Sequence, residues 1–152
     1  LAGKKEIFIP YNNFRIEDPT VKYKDLLSKS HVNPDYVRWE LHRCWVLKAK
    51  LKQGLRHVYG ARTMYFDEDS LNPVIADLYD TRGQLYRVAM NTSAYDYNGK
   101  FFQERVCMYH DLTSGAYMAD RLSNEVNDRM RYNEGGRSEK DYTPQELKRR
   151  GV

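Results

Sequence analysis

The sequence predicts a mainly β protein built on a broad antiparallel sheet, and three observations predict it. Val37–Leu51 alternates in hydrophobicity with a period of two. Val37, Trp39, Leu41, Arg43, Trp45, Leu47, Ala49 and Leu51 fall on one side, and Arg38, Glu40, His42, Cys44, Val46, Lys48 and Lys50 on the other. That is the pattern of a long half-buried strand whose apolar face carries one charge, Arg43. Turn signals then recur at short intervals, at Gln53-Gly54, Asp80-Thr81-Arg82-Gly83, Asn98-Gly99 and Thr113-Ser114-Gly115. Aromatic residues make up 13% of the chain and thirteen are Tyr, which suits pleated, half-buried surfaces better than a helical bundle.

Taken in order, a short strand is expected at Glu6–Ile9, a turn-rich polar segment at Tyr11–Thr20, and one or two helical turns at Lys24–Ser28. Asn33-Pro34-Asp35 turns the chain into the long strand. A two-residue loop at Gln53-Gly54 would join that strand to Arg56–Asp67. It sets Leu41 opposite Phe66, Arg43 opposite Met64, Trp45 opposite Arg62, Leu47 opposite Gly60 and Ala49 opposite Val58, leaving one face apolar except for Arg43 and Arg62. A three-residue loop would oppose Lys50 with Arg56, a like-charge pair that costs stability.

The next hairpin has Asp80 at the first position of a type I turn and Gly83 at its close, pairing Asp80 with Gln84. Val74, Ala76 and Leu78 then face Met90, Val88 and Tyr86, and Asp77 faces Arg87 as a cross-strand ion pair. Asn98-Gly99, flanked by Tyr97 and Lys100, marks a further hairpin, and Thr113-Ser114-Gly115 joins strands near Phe102–Asp111 and Ala116–Leu122. Ser123–Lys140 is polar and reads as an extended or partly disordered excursion. The chain ends in a helix with Thr143 as N-cap, Pro144 in the first turn, Glu146 completing a capping box and Tyr142 spaced to staple on Leu147. Lys148, Arg149 and Arg150 suit the negative end of that helix, so the basic run needs no ligand.

At 152 residues the chain is read as a single domain, 1–152, long enough to bury a core. A mean hydropathy of −0.83 and 30% charged residues leave no apolar run near the roughly 20 residues of a spanning helix. Net charge is +4, but 25 basic residues are interspersed with 21 acidic ones, the composition of a solvated surface and not of a nucleic-acid interface. Leu1-Ala2-Gly3 lacks an initiator Met and a signal peptide, so the start is expected to be internal to a longer protein.

No nucleophile–base arrangement is visible, and Ser28, Ser30, Ser70 and Ser114 lie outside any Gly-x-Ser-x-Gly elbow. Asp67-Glu68-Asp69 lacks the spaced carboxylates of a calcium loop and reads as a solvated turn. The four histidines lack metal-site spacing, so neither a metal nor a cofactor is expected. Cys44 and Cys107 fall mid-strand and are expected as free thiols, and Asn91-Thr92-Ser93 is a weak sequon match. Two readings of Arg43 and Arg62 stay open. In one, Arg62 stacks over Trp45 and Arg43 pairs with a carboxylate from elsewhere in the intact protein. In the other, Trp39, Leu41, Arg43, Trp45, Arg62 and Phe66 form an aromatic-walled cleft whose guanidinium holds an anionic head group.

Several clusters carry a family resemblance. They are Ile9-Pro10-Tyr11-Asn12-Asn13, His31-Val32-Asn33-Pro34-Asp35, Trp39-Glu40-Leu41-His42-Arg43-Cys44-Trp45-Val46, Arg56–Arg62, Phe66–Ser70, Tyr79-Asp80-Thr81-Arg82-Gly83-Gln84-Leu85-Tyr86-Arg87 and the closing Thr143-Pro144 with Leu147–Gly151. Together they resemble the C-terminal part of a proteobacterial envelope family labelled outer membrane lipoprotein-sorting protein, distantly similar to the carrier LolA and the receptor LolB. The resemblance implies a strongly curved antiparallel sheet, an incomplete barrel with a few short helices closing a hydrophobic cavity. It implies that 1–152 is the C-terminal portion of a longer domain, in the periplasm or associated with the outer membrane, and it supplies no catalytic residue. Cys44 stands where the family pattern leads one to expect an aliphatic residue. The function expected is a non-enzymatic carrier or binding protein for a lipid, a lipoprotein acyl chain or another hydrophobic molecule. The alternative is a structural or assembly subunit that docks an envelope protein on its apolar sheet face. Exposed strand edges lead one to expect self-association of this chain.

Overall fold

Period-two alternation and regularly spaced turns leave the chain one economical arrangement, in which each strand pairs with its neighbour in sequence. The computed structural model describes residues 1–127, 135–136 and 138–151. It shows that meander with seven strands: β1 (Lys4–Pro10), β2 (Trp39–Lys50), β3 (Ala61–Asp67), β4 (Pro73–Tyr79), β5 (Leu85–Asp96), β6 (Phe101–Asp111) and β7 (Tyr117–Asp120). All are antiparallel and ordered from β1 to β7, so the sheet is open, with β1 and β7 at its edges. The expected class, a curved antiparallel sheet with a few short helices, is the observed one.

The β2–β3 hairpin keeps the expected faces but not the expected register. Lys52–Leu55 does make a turn, with Leu55 N–H donating to Lys52 O at 3.2 Å and Gly54 at φ +85°. The ladder, however, resumes only where Leu51 N–H meets Gly60 O at 2.9 Å. Phe66 therefore lies opposite Trp45, Met64 opposite Leu47 and Arg62 opposite Ala49. The cause is Gly60, whose N–H donates to Tyr79 O and whose Cα faces the β4 terminus. A Cβ there would stand 2.8 Å from Asp80 O and 3.0 Å from the Thr81 Cα. That close approach fixes where β3 begins, and the resulting Trp45–Phe66 and Leu47–Met64 pairs are better cross-strand partners than Trp45–Arg62 and Leu47–Gly60.

The Asp80 turn forms as expected. Gly83, at φ +81°, donates to Asp80 O at 3.1 Å, and Asp80 N–H donates to Gln84 O at 2.9 Å. Beyond the Tyr79–Leu85 pair a bulge at Tyr86 breaks the ladder, so Leu78 faces Arg87, Asp77 faces Val88 and Ala76 faces Ala89. A slip of one residue exchanges every partner. The expected Asp77–Arg87 ion pair therefore does not exist. Asp77 accepts from the Tyr65 hydroxyl at 3.2 Å, while Arg87 Nε donates to Asp111 on β6 at 3.0 Å. The Asn98-Gly99 hairpin is also wider than a two-residue loop: Asp96 pairs with Phe101, and Lys100 adopts the left-handed conformation at φ 58°. The sequon lies inside β5, where Thr92 and Ser93 are buried.

The remaining outcome concerns which face forms the core. Residues 11–37 fold back over the sheet through a 3-10 turn at Arg15–Glu17, helix α1 (Tyr23–Leu26) and a second 3-10 turn at Pro34–Tyr36 that Asn33 caps. They bring Ile16, Leu26 and Val32 against Val106 and Met108, while Ile9 and Tyr11 join Cys44 and Val74. The covered face of β2 is therefore that of Cys44 and Val46. Trp39 and Leu41, on the side expected to be half-buried, stay 41% and 57% exposed. The sheet curls around this packing, bringing β1 into contact with β4 and β5.

The closing helix α2 (Pro144–Arg150) has Thr143 as N-cap, its hydroxyl accepting from Glu146 N–H. The carboxylate of Glu146 turns to Arg149 and Arg150 instead of completing a box, and Tyr142 and Leu147 remain exposed, so no staple is buried. The expected Ser123–Lys140 excursion falls partly outside the described residues.

Two outcomes follow from this packing. Gly60→Ala should lower unfolding free energy by about 1–3 kcal/mol in urea melts, the usual penalty for an overpacked site; an unchanged midpoint would show that β3 does not start against Asp80. Both thiols are free and buried, and burial pushes Cys44 up to about 11. Ellman's reagent should therefore leave native protein unlabelled and label both cysteines in denaturant.

Candidate functional site

Since residues 11–37 cover one face, the other is left open, and the register places a continuous row of apolar side chains across it. Leu47, Met64, Ala76, Ala89, Tyr109 and Met118 lie opposite one another in turn from β2 to β7. Met118 is 56% and Tyr109 40% exposed. Toward the β1 end the same face carries Trp45 beside Phe66, and Leu41 beside Phe8. Leu47, Met64, Ala76 and Ala89 are half-buried, and Phe8, Leu41, Tyr109 and Met118 exposed, so the apolar surface is continuous and most open at its two ends, the kind of patch that interaction sites present.

The predicted residues divide into two groups here. Leu41, Trp45 and Phe66 lie on the open side as expected, whereas Trp39, at the start of β2, lines a small groove with Val32, Val37, Met90 and Met108 at the margin of the covered face, and the two arginines behave differently from expectation. Arg43 donates to Glu68 within this chain, and Glu68 also accepts from Lys4. Hydrogen bonds from Lys4 and then Arg43 hold the Glu68 carboxyl below its ordinary range, and the bond to Glu68 raises the Arg43 guanidinium. Arg43 thus needs no outside carboxylate. The cation over Trp45 is Lys4, 4.0 Å from the ring centre, and not Arg62. Arg62 instead lies 5.1 Å over Tyr59, with His57 Nε2 at 3.5 Å. Among the described residues it meets no carboxylate, which leaves it able to receive an anionic group on this side.

Next to Arg62, a groove of about 550 Å³ is lined by Tyr59, Leu78, Arg87, Tyr109 and Met118, with Ser114 at the β6–β7 turn. Its size suits a small amphiphile. Sequence reasoning missed Tyr59, Tyr109 and Met118 because each strand shows a face but not its neighbour's register. Arg87 is anchored on one wall by the Tyr59 hydroxyl at 3.2 Å and by Asp111. Asp111 also accepts from Ser114 N–H at 3.0 Å and Thr113 N–H at 3.1 Å, tying the turn to the groove. The Ser114 backbone first, then Arg87, lowers the Asp111 carboxyl from 3.8 to about 2.

The sign of the pH effect follows from that depression. Asp111 binds its proton more weakly folded than unfolded, so its contribution is present above the unfolded value of 3.8 and is lost as pH falls toward about 2. Asp111→Asn should therefore be less stable than the parent at pH 7, with the gap closing in acid melts. An equal gap at both extremes would show that Asp111 acts only through its shape.

Comparison with known proteins supplies the family. The sequence pattern of a family described as a protein of unknown function, DUF1329, matches residues 1–148. An uncharacterized protein of Pseudomonas aeruginosa is 42% identical over 152 residues, all of this chain and 33% of that protein, so the chain spans a third of the length of this curated relative. A crystal structure of an outer membrane lipoprotein-sorting protein domain from Vibrio parahaemolyticus is similar over 70% of this chain and 43% of that chain, at 17% identity and a TM-score of 0.49. On the strength of the match over nearly its whole length, this chain belongs to the DUF1329 family.

Proposed function

We propose that the uncovered face is the binding surface of a non-enzymatic carrier or binding protein of the bacterial envelope, whose cargo is a lipid, a lipoprotein acyl chain or another hydrophobic molecule. The observation that supports it best is the row Leu47–Met64–Ala76–Ala89–Tyr109–Met118, which offers an acyl chain an apolar track across six strands. Each methylene buried there contributes about 0.8 kcal/mol. Arg62, without a carboxylate partner among the described residues, is available to hold an anionic head group, and the groove beside it gives that head a recess. The envelope location rests on the family resemblance set out above. No described helix is long and apolar enough to cross a membrane.

A second reading docks a protein on the apolar face, with the edge of the sheet beside it as a further point of attachment. The outer edge of β1 is a seven-residue strand without a partner among the described residues, a template for strand pairing with another chain or another copy. Light scattering that rises with concentration would support it.

Lipid extracted from the purified protein and read by mass spectrometry tests the first reading, together with titration of a fluorescent fatty acid. Met118→Asp, at an exposed position, should weaken fatty-acid binding by at least about tenfold, because a carboxylate against an acyl chain is left unpaired at a cost of several kcal/mol. Arg62→Ala should weaken an anionic lipid more than its neutral alcohol. Lipid-free protein that binds no probe, or binding indifferent to both changes, would contradict the proposal.

A further inference from the structure

The Asp67-Glu68-Asp69 run is not the solvated turn its composition suggests. Asp67 closes β3 with its side chain fully buried, and its Oδ2 accepts from Ser70 N–H at 2.8 Å and from the Ser70 hydroxyl at 2.6 Å. Its other oxygen, Oδ1, lies 2.8 Å from Nδ1 of His42, a β2 residue far away in sequence. The carboxylate of Asp69 reaches toward the same nitrogen, its Oδ2 being 4.0 Å away. One imidazole nitrogen and two carboxylate oxygens thus converge within 4.8 Å of one another.

What surrounds them is ordered as metal ligands are ordered. Nε2 of His42 faces Oε2 of Glu40 at 3.4 Å. Glu40 is itself held by Asn12 Nδ2 at 3.1 Å and by Arg38 at 3.0 Å. Tyr11 packs on the imidazole with ring centres 4.1 Å apart, which fixes the plane of the ring. An imidazole with a carboxylate at each nitrogen is satisfied when both nitrogens carry a hydrogen, or when a cation takes the place of one of those hydrogens.

We infer that His42 Nδ1, Asp67 Oδ1 and Asp69 Oδ2 form a binding site for a divalent transition metal ion, with Glu40 as the carboxylate that orients the histidine. Ligand atoms about 2.0–2.2 Å from a tetrahedral ion lie about 3.4 Å from one another, so the 2.8 Å contact between His42 and Asp67 opens by a few tenths of an ångström as the ion takes the place of the hydrogen between them. Asp69, whose side chain is 78% exposed, closes its gap by rotation and gives the ion a path from solvent. With the metal on Nδ1, the remaining proton sits on Nε2 and is donated to Glu40, the carboxylate–histidine–metal arrangement that raises ligand basicity. Mixed nitrogen and carboxylate donors favour zinc over calcium or magnesium. Bound there, the ion clips β2 to the β3–β4 loop, and the remaining coordination positions are open to water. The site is separate from the uncovered face and does not depend on the function proposed for it.

The test is zinc titration into chelator-stripped protein by calorimetry, with melting temperature as a second readout. Saturable binding of one equivalent and a melting temperature that rises with zinc are expected, because an ion held only by the folded chain stabilises it. Asp69→Asn, at an exposed position that leaves the fold intact, and His42→Gln should each weaken binding by at least about tenfold. Glu40→Gln should weaken it less, by orienting the histidine more poorly. His31→Gln removes a histidine outside the set and should leave binding unchanged. Absence of saturable binding, or zinc affinity retained in Asp69→Asn and His42→Gln, would overturn the assignment.

Discussion

The structure depends on one packing choice, the laying of residues 11–37 across a single face of the sheet. Ile16 and Leu26 are completely buried there against Val106 and Met108. Each such side chain contributes about 1.5–3 kcal/mol as an upper estimate. Polar ties hold the segment in place. Asn13 bridges Arg38 through both its amide nitrogen and its oxygen, Asn124 Nδ2 donates to Ile16 O and Asp18 O, and Arg105 reaches the buried carboxylate of Glu17. Because backbone groups in an irregular segment need partners as much as those in strands do, these side chains make a covering without regular structure possible.

The consequence is an asymmetric sheet. One face carries the core and, at its β1–β2 end, the Tyr11–Glu40–His42–Asp67 polar group. The other face keeps Phe8, Leu41, Trp45 and the long apolar row. Charges on the open face are mostly neutralised at its flanks, by Lys4 and Arg43 on Glu68 and by Arg87 on Asp111. Arg62 is the exception among the described residues, and it sits beside the groove, paired across the strands with Leu78 and packed on Tyr59, both of which line it. The function proposed for this face rests on that combination of an apolar track with a guanidinium at its end.

Much of this could be read from residues alone, where the determinants are local. The alternation of β2, the Asp80–Gly83 turn and the Thr143 cap each rest on a few neighbouring side chains, and each forms. The failures have a shared cause in interactions between distant segments. Periodicity separates two faces of a strand but is silent on which one is covered, and Tyr11–Thr20 looks like a polar connection because its apolar anchors are sparse. The bulge at Tyr86 and the tight approach of Gly60 to Asp80 depend on adjoining strands; the first turns Arg87 from Asp77 to Asp111, and the second sets where β3 begins. Likewise, His42 and Asp67 are unremarkable in sequence and meet only because the β2–β3 register sets Cys44 opposite Asp67.

Which face of β2 meets solvent is therefore the point on which everything else turns, and carbene footprinting read by mass spectrometry measures it directly. The account predicts heavy labelling of Phe8, Leu41 and Met118, with protection of Ile9, Cys44, Val46 and Met108. The reverse pattern, with Leu41 and Met118 protected in the monomer and Val46 and Met108 labelled, would contradict it.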